Sequence, residues 1–260
     1  MESAKGVAPD RADWQCRPMR PADPPPPLRL VEHPALFLDF DGTLVALAAR
    51  PAEIIVAPQL PDLLDQLSLR LEGRLAIVTG RALADLDSHL RLPHIAASGS
   101  HGLERRGAAT EPPPGLGDAH AAFARAAAAA RGLIVETKPA SVALHYRLAP
   151  EREAEVCALA ESLAGRTGLQ VQHGKLVVEL RAPGADKGDA VTAMMAEPPF
   201  AGARPVFVGD DLTDEAGFRA AAAMGGFGVL VGDARDSAAA YRLPDVGAVH
   251  AWLAAEAGHG

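Results

Sequence analysis

Apolar residues along this chain alternate between short continuous runs and longer stretches in which they recur every three or four positions. The runs are Ala35–Leu38, Leu75–Val78, Ile95–Ala97, Val206–Val208 and a segment from Gly226 to Val231. Short apolar runs bounded by turn residues predict strands buried on both faces of a parallel sheet. Between the first two runs, Leu60, Leu63, Leu64, Leu67 and Leu71 have the spacing of one helix face, with Pro61 in the first turn. Further helices are predicted over Ala82–Leu90, Lys187–Met195 and Val246–Ala255. The alternation β-α-β-α-β is that of an α/β, doubly wound, mainly parallel, Rossmann-like sheet.

The rhythm changes at Glu111-Pro112-Pro113-Pro114-Gly115. An alanine-rich helix over Asp118–Arg131 follows. Leu133–Lys138 and Ser141–Leu148 read as paired strands with Pro139 in the turn. Ala149-Pro150 opens a helix to about Arg166. Leu169–Gln172 and Lys175–Arg181 read as a hairpin turned by His173-Gly174. This block predicts a separate α/β unit with an antiparallel sheet, inserted into the first. The expected organisation is a disordered Pro-rich tail over residues 1–28, a core over 29–107 and 184–260, and an insertion over 108–183. Pro18, Pro21 and the run Pro24–Pro27 preclude regular structure in the tail.

Composition narrows the function. The chain has 260 residues and a formal net charge of -8, which argues against a nucleic-acid partner. The 2 cysteines, Cys16 and Cys157, form no CxxC pattern, so neither a disulfide framework nor structural zinc is expected. No apolar segment follows Met1–Lys5 and no uncharged run approaches a membrane span, so the expectation is a cytoplasmic, non-membrane protein. With no conspicuously apolar outer face in the pattern, a monomer is expected.

The chemistry gathers at strand ends. The first run stops in Asp39-Phe40-Asp41-Gly42-Thr43, the second in Thr79-Gly80-Arg81. A helix begins at Lys187, and the fourth run ends in Asp210-Asp211-Leu212-Thr213-Asp214-Glu215. Parallel strands place their C-terminal ends along one edge. Convergence there would assemble several carboxylates, a hydroxyl and an ammonium. Oxygen donors without His or Cys select a hard cation, Mg²⁺ first. A carboxylate attacking phosphorus needs the target's charge masked, which Mg²⁺ and Lys187 can do. Phosphate monoesters hydrolyse so slowly unaided that catalysis must supply up to about 10²¹-fold. A covalent aspartyl-phosphate divides that barrier, and Asp41, crowded by other anions, could stay protonated long enough to protonate a sugar leaving group.

These four strings, in this order, resemble the motifs of the haloacid-dehalogenase-like (HAD) phosphatases. The resemblance implies Asp39 as nucleophile and Mg²⁺ ligand, and Asp41 as acid/base and carbonyl ligand. It implies Thr79 bonding the phosphoryl group and Lys187 balancing its charge. Asp210 would bind the metal, with Asp211 or Asp214 helping.

A narrower resemblance runs over roughly residues 35 to 235. Ser98-Gly99-Ser100-His101-Gly102-Leu103-Glu104, Glu136-Thr137-Lys138, His145-Tyr146-Arg147 and Val178-Glu179-Leu180 are similar to the trehalose-6-phosphate phosphatases. Thr79 stands where that family often has serine, and Ser100 where asparagine is common. The insertion then becomes a cap whose Glu136, Lys138, Glu179, His145 and Arg147 read the sugar, met by Arg81, His101 and Glu104 from core loops. For each, the plainer reading is a salt-bridged solvated face or a loop tie. The implied reaction is Mg²⁺-dependent hydrolysis of trehalose 6-phosphate. The rivals are another sugar-phosphate phosphatase, such as one for sucrose phosphate or mannosyl phosphoglycerate, and a non-catalytic sugar-phosphate sensor.

Overall fold

The computed structural model describes residues 23–25, 28, 31–48, 53–108, 112–174, 176–183 and 186–258. In chain order the elements of the first part are β1 (Pro34–Leu38), α1 (Leu60–Arg70), β2 (Leu75–Val78), α2 (Leu83–Leu90), β3 (Ala96–Gly99) and β4 (Glu104–Arg105). Then come α3 (Leu116–Ala129), β5 (Ile134–Thr137), β6 (Ser141–His145), α4 (Glu153–Thr167), β7 (Gln170–Gly174) and β8 (Val177–Arg181). The last part holds α5 (Lys187–Met195), β9 (Arg204–Gly209), α6 (Glu215–Ala223), β10 (Phe227–Val231), β11 (Tyr241–Leu243) and α7 (Val246–Ala257).

Two sheets result. The larger has the order β11-β10-β9-β1-β2-β3-β4, parallel throughout except for β4, which runs antiparallel to β3. It is covered on both faces, as continuous apolar strands require. Leu36 and Leu38 of β1 pack with Leu60, Leu64 and Leu67 of α1 and with Val249 and Leu253 of α7. Ala35 and Phe37 point the other way, to Val191 and Met194 of α5 and Phe218 of α6. The expected doubly wound α/β class is the observed one.

The smaller sheet has the order β5-β6-β8-β7, is antiparallel, and falls in the chain between β4 and α5. Val142, Leu144, Val178 and Leu180 face a core shared with Phe123 of α3 and Val156, Ala160 and Leu163 of α4. The alternate residues therefore lie on the opposite face. There Glu136, Ala143, Glu179 and Gln172 stand in one cross-strand row.

Several expected boundaries move. The strand expected from Ile95 ends at Gly99, the glycine-rich stretch after it is a 3-10 turn at Ser100–Gly102, and β4 then folds back on β3. The hairpin does not turn at His173-Gly174, because both residues are paired, with Val178 and Val177, and the reversal passes through Leu176 at φ 61°. Lys175, expected to start the second hairpin strand, lies outside the described residues. Edge strand β11 escaped the pattern because it is only 3 residues long and carries a charge, Arg242, at its centre.

The expected tail is not free to its end. Residues 1–22 lie outside the described residues, as do parts of the two linkers, 109–111 and 184–185. Leu28, however, is 3% exposed within the core beside α1, and Asp23 accepts a backbone bond from Arg242 at 2.8 Å. Among the described residues no helix is long and apolar enough to cross a membrane. Leu28→Ala should cost about 2 kcal/mol in urea unfolding, as a buried leucine does. A change under about 0.5 kcal/mol, typical of an exposed position, would show that the segment is undocked.

Candidate active site

The larger sheet reverses its winding between β1 and β9, and this is where a doubly wound sheet opens a crevice beyond its strand ends. Asp39 follows β1 and Asp210 follows β9. The Asp39 N–H still donates to Val208 O at 2.9 Å, so the first acid is held in the strand's own ladder. Backbone and carboxylate then come very close. Gly42 has φ 84°, and a Cβ there would lie 2.1 Å from Asp210 Oδ2. A Cβ at Gly209 would lie 2.3 Å from Asp214 Cγ. Glycine is required at both positions by space, and at Gly42 by conformation as well.

Lys187 is the first residue of α5. Asp186 caps that helix in a reciprocal box with Asp189, with bonds of 2.9 and 3.1 Å. The cap fixes where the lysine starts. Its Nζ donates to Asp39 Oδ1 at 2.7 Å and to Asp214 Oδ1 at 2.6 Å, with the lysine only 3% exposed. Asp214 Oδ2 accepts the N–H groups of Asp210 and Asp211 at 2.9 and 3.0 Å. Both oxygens of this fully buried acid are thus engaged.

Three carboxylates meet one ammonium here. Oxygens of Asp39, Asp210 and Asp214 lie within 4.8 Å of one another. Burial raises Asp39 to about 6, against the pull of Lys187. Burial, then the charges of Asp214 and Asp211, raises Asp210 to about 6. Burial, then Asp39, raises Asp214 to about 7. Burial opposes charge on Lys187 too, but Asp39 and Asp214 hold its pKa above the ordinary lysine value. With all three carboxyls ionised two negative charges are left over, and every donor is oxygen. This set fits a divalent hard cation such as Mg²⁺.

The expected pair Asp211 and Asp214 divides. Asp214 belongs to the cluster. Asp211 caps the 3-10 turn Leu212–Asp214, its Oδ1 accepting from the Thr213 N–H at 2.7 Å and hydroxyl at 2.6 Å. Burial works against its charge, but the Thr213 bonds and Lys187 hold its carboxyl below the ordinary value.

Asp41 is not crowded by anions alone, as the sequence suggested. Arg81 grips it with both arms, Nε to Oδ2 at 2.6 Å and Nη2 to Oδ1 at 2.7 Å. The expected sugar reader Arg81 is thus bound to the acid/base candidate. The Thr79 hydroxyl accepts the Arg81 N–H at 3.1 Å and is fully buried.

A cavity of about 740 Å³ joins the two sheets, with Asp39, Asp41, Arg81, His101 and Lys187 on one side and Glu136 and Lys138 on the other. Lys138 Nζ lies 3.3 Å from Glu179 Oε1 and 4.0 Å from Glu136 Oε1. His145 bonds Glu136 at 2.8 Å, behind the cavity wall. The expected trio Glu136, Lys138 and Glu179 is therefore brought together. Four expected sugar readers do not line the cavity: Glu179 and His145 stand behind Lys138 and Glu136, and Glu104 and Arg147 lie apart from them. Glu104 is buried, accepts from the Ser100 hydroxyl and from the Leu83 N–H at 3.2 Å, and lines no part of the cavity. It ties the start of α2 to the loop after β3. Arg147 is exposed and also absent from the lining.

Sequence reasoning assigned no role to Asp85, Thr43 or Ser141. Asp85 takes Arg81 Nη1 at 2.6 Å, Thr43 donates to Asp210 at 3.5 Å, and the Ser141 hydroxyl donates to Glu179 Oε1. Asp85 stands four residues after Arg81 at a helix start, a signal that was present in the spacing. Ser141 could be found only through its cross-strand register.

His101, at φ 56°, stands between the sheets. Burial, then Lys187 and Arg181, lowers its pKa to about 4, with Asp211 and Glu179 pulling the other way. An imidazole that is neutral when folded but protonates when unfolded removes stability as pH falls from 6.5 toward about 4. His101→Gln should therefore lose less melting temperature than the native chain over that interval. Parallel melting curves for the two would contradict a buried neutral imidazole.

Comparison with known proteins supplies the family. A probable trehalose-phosphate phosphatase of Sinorhizobium fredii is 44% identical over 209 residues, covering 76% of this chain and 77% of its own. The trehalose-6-phosphate phosphatase of Escherichia coli K12 is 35% identical over 226 residues, covering 84% and 85%. The crystal structure of a trehalose-6-phosphate phosphatase related protein superposes with a TM-score of 0.67 at 27% identity, over 85% of this chain and 96% of the other. A haloacid dehalogenase-like hydrolase from Bacteroides thetaiotaomicron shares the fold at a TM-score of 0.62 and 16% identity, over 85% and 98%. Residues 37–246, from the strand before Asp39 to the start of α7, match the trehalose-phosphatase family, and the chain belongs to that family.

Proposed function

We propose that this protein is a Mg²⁺-dependent phosphatase that converts trehalose 6-phosphate to trehalose and inorganic phosphate through an aspartyl-phosphate on Asp39. The observation that carries the reading is the buried Lys187 ammonium, 2.7 Å from Asp39 and 2.6 Å from Asp214, beneath a cavity that Glu136 and Lys138 also line. Family membership supports the substrate, through what the relatives are named for.

In this reading an Asp39 oxygen attacks phosphorus while Asp41 gives a proton to the departing sugar oxygen. Asp41 then takes a proton from the water that attacks the aspartyl-phosphate, and Asp39 is regenerated as phosphate leaves. Lys187 faces the charge on the phosphoryl oxygens. In this reading the Thr79 hydroxyl donates its hydrogen to the phosphoryl group while still accepting the Arg81 N–H. Asp39, Asp210 and Asp214 would hold Mg²⁺, with the Asp41 carbonyl as a further ligand and Asp211 shaping the turn beneath. When bound, the cation supplies charge neutralisation and a fixed orientation for the phosphate.

Residues 29–107 and 184–260 then act as the catalytic core and 108–183 as a cap. The cap's polar face presents Glu136, Lys138 and Glu179 to the sugar. Fixed donors and acceptors discriminate hydroxyl patterns far better than apolar shape does. Closure of the cap would exclude water from the intermediate's surroundings.

Phosphate release from a panel of sugar phosphates, with and without Mg²⁺, tests the reading. Trehalose 6-phosphate should be preferred, and removal of the metal or Asp39→Asn should lower turnover by about 10³-fold or more. Metal-dependent release spread evenly over many sugars would refute the substrate. No release by the folded chain would favour a sensor.

The cap's role has its own test. Ala in place of Glu136, Lys138 or Glu179 should reduce disaccharide turnover about 10- to 100-fold while sparing an aryl phosphate. Equal losses on both substrates would refute sugar reading by these side chains.

A further inference from the structure

The motif Asp39-Phe40-Asp41 places an aromatic between two acids, and the function above uses only the acids. Phe40 is fully buried. The Arg81 guanidinium carbon stands 5.6 Å from the centre of the Phe40 ring, within cation–π range. From that position Nε and Nη2 meet the two oxygens of Asp41 at 2.6 and 2.7 Å. Nη1 meets Asp85 Oδ2 at 2.6 Å, so each of the three guanidinium nitrogens is engaged by a carboxylate. The arginine backbone is pinned as well. Its N–H donates to the Thr79 hydroxyl at 3.1 Å, and its carbonyl accepts from Ser100 N–H at 2.7 Å. Asp85 sits in the first turn of α2, where a helix favours negative charge.

We propose that Arg81 is the positioning residue of the acid/base step. It holds the Asp41 carboxyl in one orientation over the cavity, with Phe40 and Asp85 fixing the guanidinium in turn. This rests on the phosphatase reading and refines it: Arg81 acts through Asp41 rather than by reading the sugar. A carboxyl at the cavity wall has free rotation about its last bonds. A two-armed planar donor removes that freedom in a way a point charge does not. Proton delivery depends on such orientation, because the proton must reach the ester oxygen as the bond to phosphorus breaks and the bond from Asp39 forms.

A positioning role for the acid has a signature that neither substrate binding nor simple structural support shares. Protonation matters in proportion to how poor the leaving group is. The measurement is first-turnover release from phosphate esters graded from sugar alcohols to dinitrophenol, in the Mg²⁺-loaded native chain and in Arg81→Ala, Arg81→Lys and Asp85→Asn. Arg81→Ala should slow the alcohol esters by about 10²-fold, the scale of a lost general acid, and the dinitrophenyl ester by less than about tenfold. The slope of rate against leaving-group pKa should steepen, with KM for the sugar ester little changed. Arg81→Lys should fall between native and Ala, and Asp85→Asn should shift the slope in the same direction by a smaller amount. Free guanidinium ion added to Arg81→Ala should restore part of the alcohol-ester rate.

Equal losses across the series, in variants with native unfolding curves, would overturn the proposal. So would a raised KM with kcat retained, which is the mark of a sugar reader. Should Arg81→Ala fail to fold, an unchanged slope in Asp85→Asn and Arg81→Lys would overturn it equally. No release from any ester by the folded native chain would overturn the phosphatase reading and this inference together. A parallel loss overturns the inference alone.

Discussion

The buried contact of one ammonium with two carboxylates is the constraint to which the rest of this structure answers. Lys187 is 3% exposed and Asp214 0%, so each charge has given up nearly all of its water. Isolated, either would be severely destabilising. Paired, they tie together α5, the end of β1 and the turn after β9, three elements far apart in sequence. Such a cluster is weak evidence for stability, since apolar replacements of similar shape are often as stable. Its presence at a strand-end crevice, with the Asp210 carboxyl beside it and a cavity above it, points instead to chemistry.

The surrounding sequence can be understood as what it takes to pack those charges. Gly42 and Gly209 are glycine because carboxylates occupy the space of their missing side chains. Asp186 and Asp189 cap α5 at the residue before the lysine, so the helix start and the ammonium are fixed by the same turn. Asp211 does for the 3-10 turn what Asp186 does for the helix. Two acids of the acid-rich string after β9 face the cluster and a third caps its turn, and only the three-dimensional arrangement separates these tasks.

That division explains how far the sequence could be read. The parallel sheet was legible because its strands are continuous apolar runs, and the convergence of Asp39 and Asp210 followed from strand ends sharing one edge. What the sequence could not show were side-chain partners made across elements. Arg81 lies 40 residues from Asp41, and nothing in the spacing says that it meets the acid rather than a sugar. Glu104 looked available beside a glycine-rich bend, but the left-handed turn at Ser100 and His101 folds it inward onto Leu83. The edge strand β11 and the exact hairpin turn failed for a simpler reason. Short segments carry too little periodicity to outvote tertiary pairing.

The smaller sheet shows the same logic applied to a polar face. Its apolar face is committed to α3 and α4, so its polar face is the only one left to meet the crevice. On that face Lys138, Glu179, Glu136, Ser141 and His145 already satisfy one another. A ligand that meets this face must therefore exchange bonds rather than supply missing ones. Exchange of this kind gains little net energy from a ligand that replaces only some of the partners, because each displaced charge would be left partly desolvated and unpaired. A ligand whose hydroxyls match the whole set loses nothing in the exchange. Discrimination between ligands at such a face follows from the completeness of that match more than from the strength of any single contact.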